Sequence, residues 1–114
     1  VQFEDYEKAL EAFDQAIADY TQAIELGHDP LHWPYYNRGN AYADQGVYER
    51  AIADYSEAIR LDAGLEAAYY ARGVAYKQLG DVNAAAADFN KVLGLNDDYW
   101  RQEAEKQLQV LGTE

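Results

Sequence analysis

The sequence predicts an all-α protein, a solenoid of stacked antiparallel helix hairpins. Two repeats within the chain are the first evidence: YYNRGNAY from Tyr35 returns as YYARGVAY from Tyr69, and AIADYTQAIEL from Ala16 returns as AIADYSEAIRL from Ala51. Periods of about 34 residues are typical of helical units that stack because none can bury its apolar face alone. The second observation is that apolar residues recur every three or four positions, as on a helix face, and nowhere alternate as in a strand.

The composition fits a single domain, residues 1–114, that avoids polyanions. The chain has 21 acidic and 9 basic residues, a net charge of −12, and no cysteine. Because this charge repels phosphate backbones and anionic lipids, we expect neither a nucleic-acid nor a membrane partner. The lack of cysteine excludes disulfides and favours a reducing compartment, so we expect a soluble protein that is cytoplasmic rather than secreted.

Residues 1–27 are predicted to form one long helix, since no Gly, Pro or Asn interrupts them before Gly27. Apolar positions alternate between spacings of three and four residues along about six turns, which gives a heptad-like seam. Such a seam exposes an apolar stripe, and we expect it to pair two chains in a two-fold homodimer. The alternative is that the chain was cut from a longer array and that the cut exposes the stripe. The seam residues assigned to self-association are Phe3, Tyr6, Leu10, Phe13 and Ile17.

Two full repeats follow, residues 34–65 and 66–97, each with two helices joined by a turn. Gly46 and Gly80 mark the turns, and Asp81 is a candidate N-cap of the helix after the second one. Two further glycines, Gly39 and Gly73, lie inside helices, where glycine costs about 1 kcal/mol relative to alanine.

That cost is offset if the missing side chain lets a neighbouring helix approach closely. We expect Ala51 and Ala85 to be the small residues opposite these glycines. Arg38 and Arg72 are expected to extend along the hairpin edge with their charged ends in solvent.

Residues 98–114 are predicted to form a capping helix. Its apolar stripe comprises Trp100, Ala104, Leu108 and Leu111, and Asn96–Asp98 precede it as a capping segment. A solenoid needs such a cap because its last hairpin otherwise exposes a stacking face.

These motifs resemble the tetratricopeptide repeat family. The resemblance covers nearly all of the chain from Phe13 on, and the family's alternation of aromatic, Gly and Ala positions is matched in both repeats. The matching residues are Tyr35, Gly39, Tyr42, Gly46, Tyr48, Ala51, Tyr55 and Ala58, then Tyr69, Gly73, Tyr76, Gly80, Val82, Ala85, Phe89 and Val92. Val82 and Val92 depart from the usual aromatic and Ala.

The resemblance implies a right-handed superhelix and a non-catalytic protein–protein interaction scaffold. Its concave groove, lined by the first helix of each repeat, would bind an extended peptide segment of a partner. The implied groove positions are Tyr36, Asn37, Asn40 and Asp44, then Tyr70, Ala71, Val74 and Lys77. For Asn37 and Asn40, a solvated or turn-holding role is the competing interpretation. A structural element that self-associates through its N-terminal helix and stacking faces is the alternative function.

The charge of the groove predicts its ligand. Some family members hold acidic C-terminal tails with a basic clamp, but Tyr36, Tyr70 and Ala71 stand where cations would be needed here. Lys77 is left as the main cation on that face, so we expect a neutral or basic peptide. His28 and His32 are separated by Pro30 and do not form a helical metal pair. We therefore predict no enzyme activity, no metal and no cofactor.

Overall fold

The computed structural model describes residues 3–112, and among these residues it contains six α-helices and no strand. The all-α prediction is therefore confirmed. The helices are α1 (Phe3–Leu26), α2 (His32–Asp44), α3 (Tyr48–Leu61), α4 (Glu66–Gln78), α5 (Val82–Leu93) and α6 (Asp98–Leu111). The predicted bounds at residues 1–2 and 113–114 lie outside the described residues. Within that range, no helix is both long enough and apolar enough to cross a membrane.

The helices form a solenoid of hairpins with two unequal layers. Each helix packs against the next one along the chain, and α2 also contacts α4, as α4 contacts α6. In the described part of the chain, α1, α3 and α5 make no such contacts with one another. The α2, α4 and α6 layer is therefore the tighter one and forms the concave side.

Glycine turns close the two hairpins between first and second helices. Gly46 and Gly80 have φ angles of +82° and +83°, a conformation in which a side chain is strained. At the first turn the N–H of Gly46 donates to the carbonyl of Ala43, and the N–H of Val47 donates to that of Tyr42. This double closure stops α2 and reverses the chain within three residues.

Aspartate side chains cap two of the later helices. Asp81 accepts a hydrogen bond from the N–H of Ala84 at the start of α5, which confirms the predicted N-cap. Asp97 accepts one from the N–H of Trp100 at the start of α6. Each bond satisfies one of the backbone donors that a helix start leaves free.

The two helix-interior glycines make room for aromatic rings. A Cβ atom on Gly73 would lie 2.7 Å from the ring of Phe89, and one on Gly39 would lie 2.8 Å from the ring of Tyr55. The closest atoms at both positions therefore belong to an aromatic ring, which the sequence pattern did not predict. Ala51 lies opposite Gly39 as expected, since its carbonyl oxygen would be 3.3 Å from a Cβ atom on Gly39.

The expectation that Arg38 and Arg72 place their charged ends in solvent is wrong. Arg72 donates two hydrogen bonds to the buried carboxylate of Asp88, at 2.7 and 2.8 Å, and a third to the hydroxyl of Ser56. Arg38 repeats these contacts with Asp54 and Thr21. The hydrogen bond to Asp88 raises the pKa of Arg72.

Each of these guanidinium groups therefore connects three helices, because the carboxylate and the hydroxyl lie on different second helices. The rings of Tyr69 and Tyr76 flank Arg72, with centroids 5.7 and 6.0 Å from its Cζ. This packing explains why the Tyr, Arg and Gly letters recur in both copies of the repeat. A carboxylate 16 residues after each arginine was the sequence signal for the pairing.

Candidate functional site

A cleft of about 450 Å³ opens on the concave side between α2 and α4, with α3 at its floor and α6 at one end. Nine of its twelve lining residues come from the first helices α2 and α4, where successive turns present every third or fourth side chain to the same side. The lining residues are Tyr36, Asn40, Ala43, Asp44, Tyr48, Tyr55, Ala67, Tyr70, Ala71, Val74, Ala75 and Trp100.

Aromatic rings make up the two ends of the cleft. At one end the rings of Tyr36 and Tyr55 have centroids 5.9 Å apart. At the other, Tyr70 packs 5.2 Å from Trp100 and 5.5 Å from Phe89. Tyrosine combines a flat apolar face with a polar hydroxyl, so such rings suit the side chains and the backbone of a peptide.

A hydrogen bond fixes the orientation of Asn40 in the cleft. The hydroxyl of Tyr55 donates to Oδ1 of Asn40 at 2.6 Å. Burial raises the pKa of Tyr55, and the neighbouring Tyr36 and Asp44 raise it further, so this hydroxyl stays a donor. Because the Oδ1 atom is used in this way, the Nδ2 group of Asn40 is the end that can donate to a ligand carbonyl.

The cleft is acidic. Among its lining residues within the described range, Asp44 is the only charged one, and it is exposed. Lys77, the predicted groove cation, instead donates from Nζ to Oε1 of Gln107 on α6 at 2.9 Å. The Nε2 of Gln107 in turn donates to the Tyr70 hydroxyl. Lys77 therefore ties α4 to α6 and is not one of the lining residues.

Most of the predicted groove positions meet in this cleft. Those that line it are Tyr36, Asn40, Asp44, Tyr70, Ala71 and Val74. Asn37 and Lys77 do not line it. Trp100 also lines the cleft, which its position in the apolar stripe of the predicted cap did not indicate. Tyr48 and Tyr55 were missed because residues of second helices were assigned to the core.

The residues predicted for self-association lie on the outermost helix. Phe3 and Tyr6 are 76% and 57% exposed, and Leu10, Phe13 and Ile17 are partly buried. Within the described chain, α1 packs only on α2 and has no buried residue.

The described residues contain no candidate metal site. None of their His, Cys, Asp and Glu side chains form a group of three or more that could hold a metal ion. The ring Nε2 of His32 lies 3.8 Å from the carboxylate of Asp62, at the periphery of the fold.

Comparisons with known proteins agree with this architecture. A family model described as "TPR repeat" matches residues 39–80, and one described as "Tetratricopeptide repeat" matches residues 66–99. The TPR domain of Arabidopsis OM64 is 31% identical, with a TM-score of 0.76, over 87% of this chain and 82% of that one. The chain belongs to the tetratricopeptide repeat family.

A second solved structure is similar and carries a ligand. It is the second TPR of Spaghetti (RPAP3) bound to the HSP90 peptide SRMEEVD, 28% identical with a TM-score of 0.66, over 82% of this chain and 97% of that one. A search of curated protein sequences gives no match. The tetratricopeptide repeat family is generally a non-catalytic protein-interaction scaffold.

Proposed function

We propose that this protein binds an extended, neutral or basic peptide segment of a partner protein in the cleft between α2 and α4. The observation that carries the proposal is the lining itself, which combines aromatic rings, the amide of Asn40 and the carboxylate of Asp44. The rings supply contact area, the amide orients the peptide backbone, and the carboxylate attracts a positive charge.

The charge preference follows from a comparison with the acidic ligand of the Spaghetti domain. The peptide in that structure, SRMEEVD, has three acidic residues and one basic residue. Holding such a segment requires cations, but the lining described here contributes a carboxylate, and the nearby Lys77 is bonded to Gln107. The −12 charge of the whole chain adds long-range repulsion of acidic peptides.

A displayed library of random heptapeptides tests both parts of the proposal. The library is selected on the 114-residue chain and counter-selected on a Tyr36→Ala/Tyr70→Ala variant, which removes a ring from each end of the cleft. We expect the selected sequences to be rich in Lys and Arg and to lose binding in the variant.

The matched control is Tyr99→Ala, because Tyr99 is 62% exposed and is not one of the cleft residues. Selected peptides should bind this control like the unchanged chain, and Asp44→Asn should weaken the basic ones. Sequences rich in Asp and Glu, or peptides that bind the double variant unchanged, would contradict the proposal.

Self-association through α1 is the second candidate, favoured by the exposure of Phe3 and Tyr6. Sedimentation at micromolar concentration tests it. A dimer should dissociate in Phe3→Glu/Leu10→Glu but persist in Val110→Glu, a control at an equally exposed apolar residue of α6. A monomer near 12.9 kDa in all three chains would exclude the dimer.

A further inference from the structure

Helix α1 has the sequence pattern of the second helix of a repeat. In α3 and α5 the preceding first helix packs on one face, but no helix of the described chain packs on the equivalent face of α1. Four of its residues correspond to buried positions of α3 and α5, yet none of the four is buried. We name these four, Ala16, Asp19, Tyr20 and Ala23, the open face of α1. Their equivalents are Ala51, Asp54, Tyr55 and Ala58 in α3, and Ala85, Asp88, Phe89 and Val92 in α5.

On both α3 and α5, the helix that packs on this face carries an Arg-Gly pair. Arg72 of α4 binds the carboxylate of Asp88, and Gly73 leaves room for the ring of Phe89. In α2 and α3, Arg38 and Gly39 do the same for the equivalent Asp and Tyr. The molecule thus shows twice what this set of residues binds.

The open face points away from α2. Thr21 and Asp14 mark the side of α1 that faces α2, since they accept hydrogen bonds from Arg38 and Gln45. Successive residues of an α-helix are rotated by roughly 100°. Ala16, Asp19 and Ala23 therefore lie on the opposite side, where Asp19 has only the neighbouring Gln15 as a hydrogen-bond donor among the described residues.

The geometry points to this face as a docking site for a helix of another polypeptide, one that carries an Arg-Gly pair between two aromatic residues. The arginine would bind Asp19, and the glycine would receive the ring of Tyr20. Charge supports a cationic helix, because α1 has seven acidic residues and one lysine. Long-range attraction would therefore add to the local ion pair.

A separate polypeptide is a better candidate for the docking helix than a first helix joined to α1 by a turn or a second copy of this chain. Elsewhere a glycine turn joins the first helix to the second, but α1 remains helical through Glu11, the position equivalent to Gly46. A second copy is disfavoured as the occupant of the open face, because its Arg-Gly pairs are already engaged with Asp54 and Asp88. Pairing the open face with that of another α1 would also bring the carboxylates of two Asp19 residues together.

The test uses a synthetic peptide with the sequence of α4, EAAYYARGVAYKQ, as a surrogate for the docking helix. It is titrated into the isotopically labelled 114-residue chain while backbone amide resonances are recorded. We expect shifts centred on residues 16–23. Asp19→Asn should weaken binding roughly tenfold or more, since it removes a charged hydrogen-bond acceptor.

Two controls separate docking from misfolding and from simple charge. Glu25→Gln removes one charge from an exposed site of α1 outside the open face and should leave the affinity within about twofold. Peptides with Arg72→Gln or Gly73→Leu leave the protein intact and should bind at least about tenfold more weakly.

Any of three results would overturn the inference. The first is the absence of shifts in α1 at millimolar peptide, whether or not shifts appear in the cleft between α2 and α4. The second is equal affinity for Asp19→Asn and the unchanged chain. The third is a concentration-dependent dimer of the chain without peptide whose contact maps to the open face, which would make a second copy the occupant.

Discussion

Gly73 has a hydrogen atom in place of a Cβ atom, which makes room for the ring of Phe89. Gly39 makes room for the ring of Tyr55 in the same way. The carboxylate of Asp88, one residue before Phe89 in the sequence, accepts hydrogen bonds from Arg72, so each Arg-Gly pair meets an Asp-aromatic pair. At the residue scale, this complementarity is what fixes the first helix of a repeat on the second.

The first prediction is that Gly73→Ala destabilises the protein despite favouring the helix. Its Cβ would meet the Phe89 ring at 2.7 Å, and relieving that overlap in a packed core costs more than the helix gains. We expect a net loss of about 1–2 kcal/mol in urea unfolding. Gly64→Ala is the control, because its Cβ would make only an ordinary contact at 3.7 Å. Equal stability of the two variants would refute the packing role.

The second prediction concerns the ion pair of Arg72 and Asp88, whose side chains are 20% and 7% exposed. Arg72→Met leaves the carboxylate buried without its cation, which should cost about 3 kcal/mol. The double variant Arg72→Met/Asp88→Leu should recover much of this loss in a double-mutant cycle. Arg60→Met is the control at an exposed pair and should change little. Additive losses would argue against the pairing.

The third prediction uses the raised pKa of Tyr55, caused mainly by burial. An unfolded tyrosine ionises near pH 10, whereas the folded one holds its proton to higher pH. Its contribution to stability is therefore complete below about pH 10 and is lost as the pH rises further. Tyr55→Phe should cost about 1 kcal/mol at pH 7 and should flatten the alkaline decline measured by urea unfolding. An unchanged decline would show that Tyr55 does not cause it.

At the element scale, α1 differs from the other helices in having one neighbour and no buried residue. Its contacts with α2 include the hydrogen bonds from Arg38 to Thr21 and from Gln45 to Asp14. By contrast, α5 packs between α4 and α6 and buries Ala85, Phe89 and Val92. The long helix at the end of the solenoid is therefore the least supported one.

Hydrogen exchange should reveal this difference. Backbone amides of residues 7–14 in α1 should exchange at least about tenfold faster than those of residues 86–92 in α5, since opening α1 breaks few tertiary contacts. Adding the α4 peptide should slow exchange in α1 if the open face is occupied. Equal protection of the two segments in the free chain would indicate another source of support for α1.

At the scale of the whole molecule, the charge of −12 makes the folded chain repel itself. Salt should therefore raise the melting temperature at pH 7 by a few degrees between 10 and 150 mM NaCl, because it screens exposed charges more than buried pairs. The same addition near pH 4.3, the isoelectric point, should have little effect. A fall in melting temperature with salt at pH 7 would mean that the attractions screened by salt outweigh the repulsion.

Much of the architecture follows from the sequence alone. The 34-residue spacing of YYNRGNAY and YYARGVAY, together with the helical spacing of apolar residues, predicts hairpins that must stack to bury their faces. The uninterrupted α1 follows from the lack of Gly, Pro and Asn before Gly27. These features depend on local backbone preferences and periodicity, which a single sequence displays directly.

The tertiary structure decided which side chains meet. Arg38 binds Asp54, although the sequence pattern predicted its charged end in solvent. Lys77 donates to Gln107 on α6, although it was predicted to line the groove. Trp100 reaches the cleft from a helix that sequence reasoning treated as a cap. Each outcome depends on how two helices distant in sequence are rotated and placed against each other. That geometry comes from packing across the whole solenoid, so no local pattern specifies it.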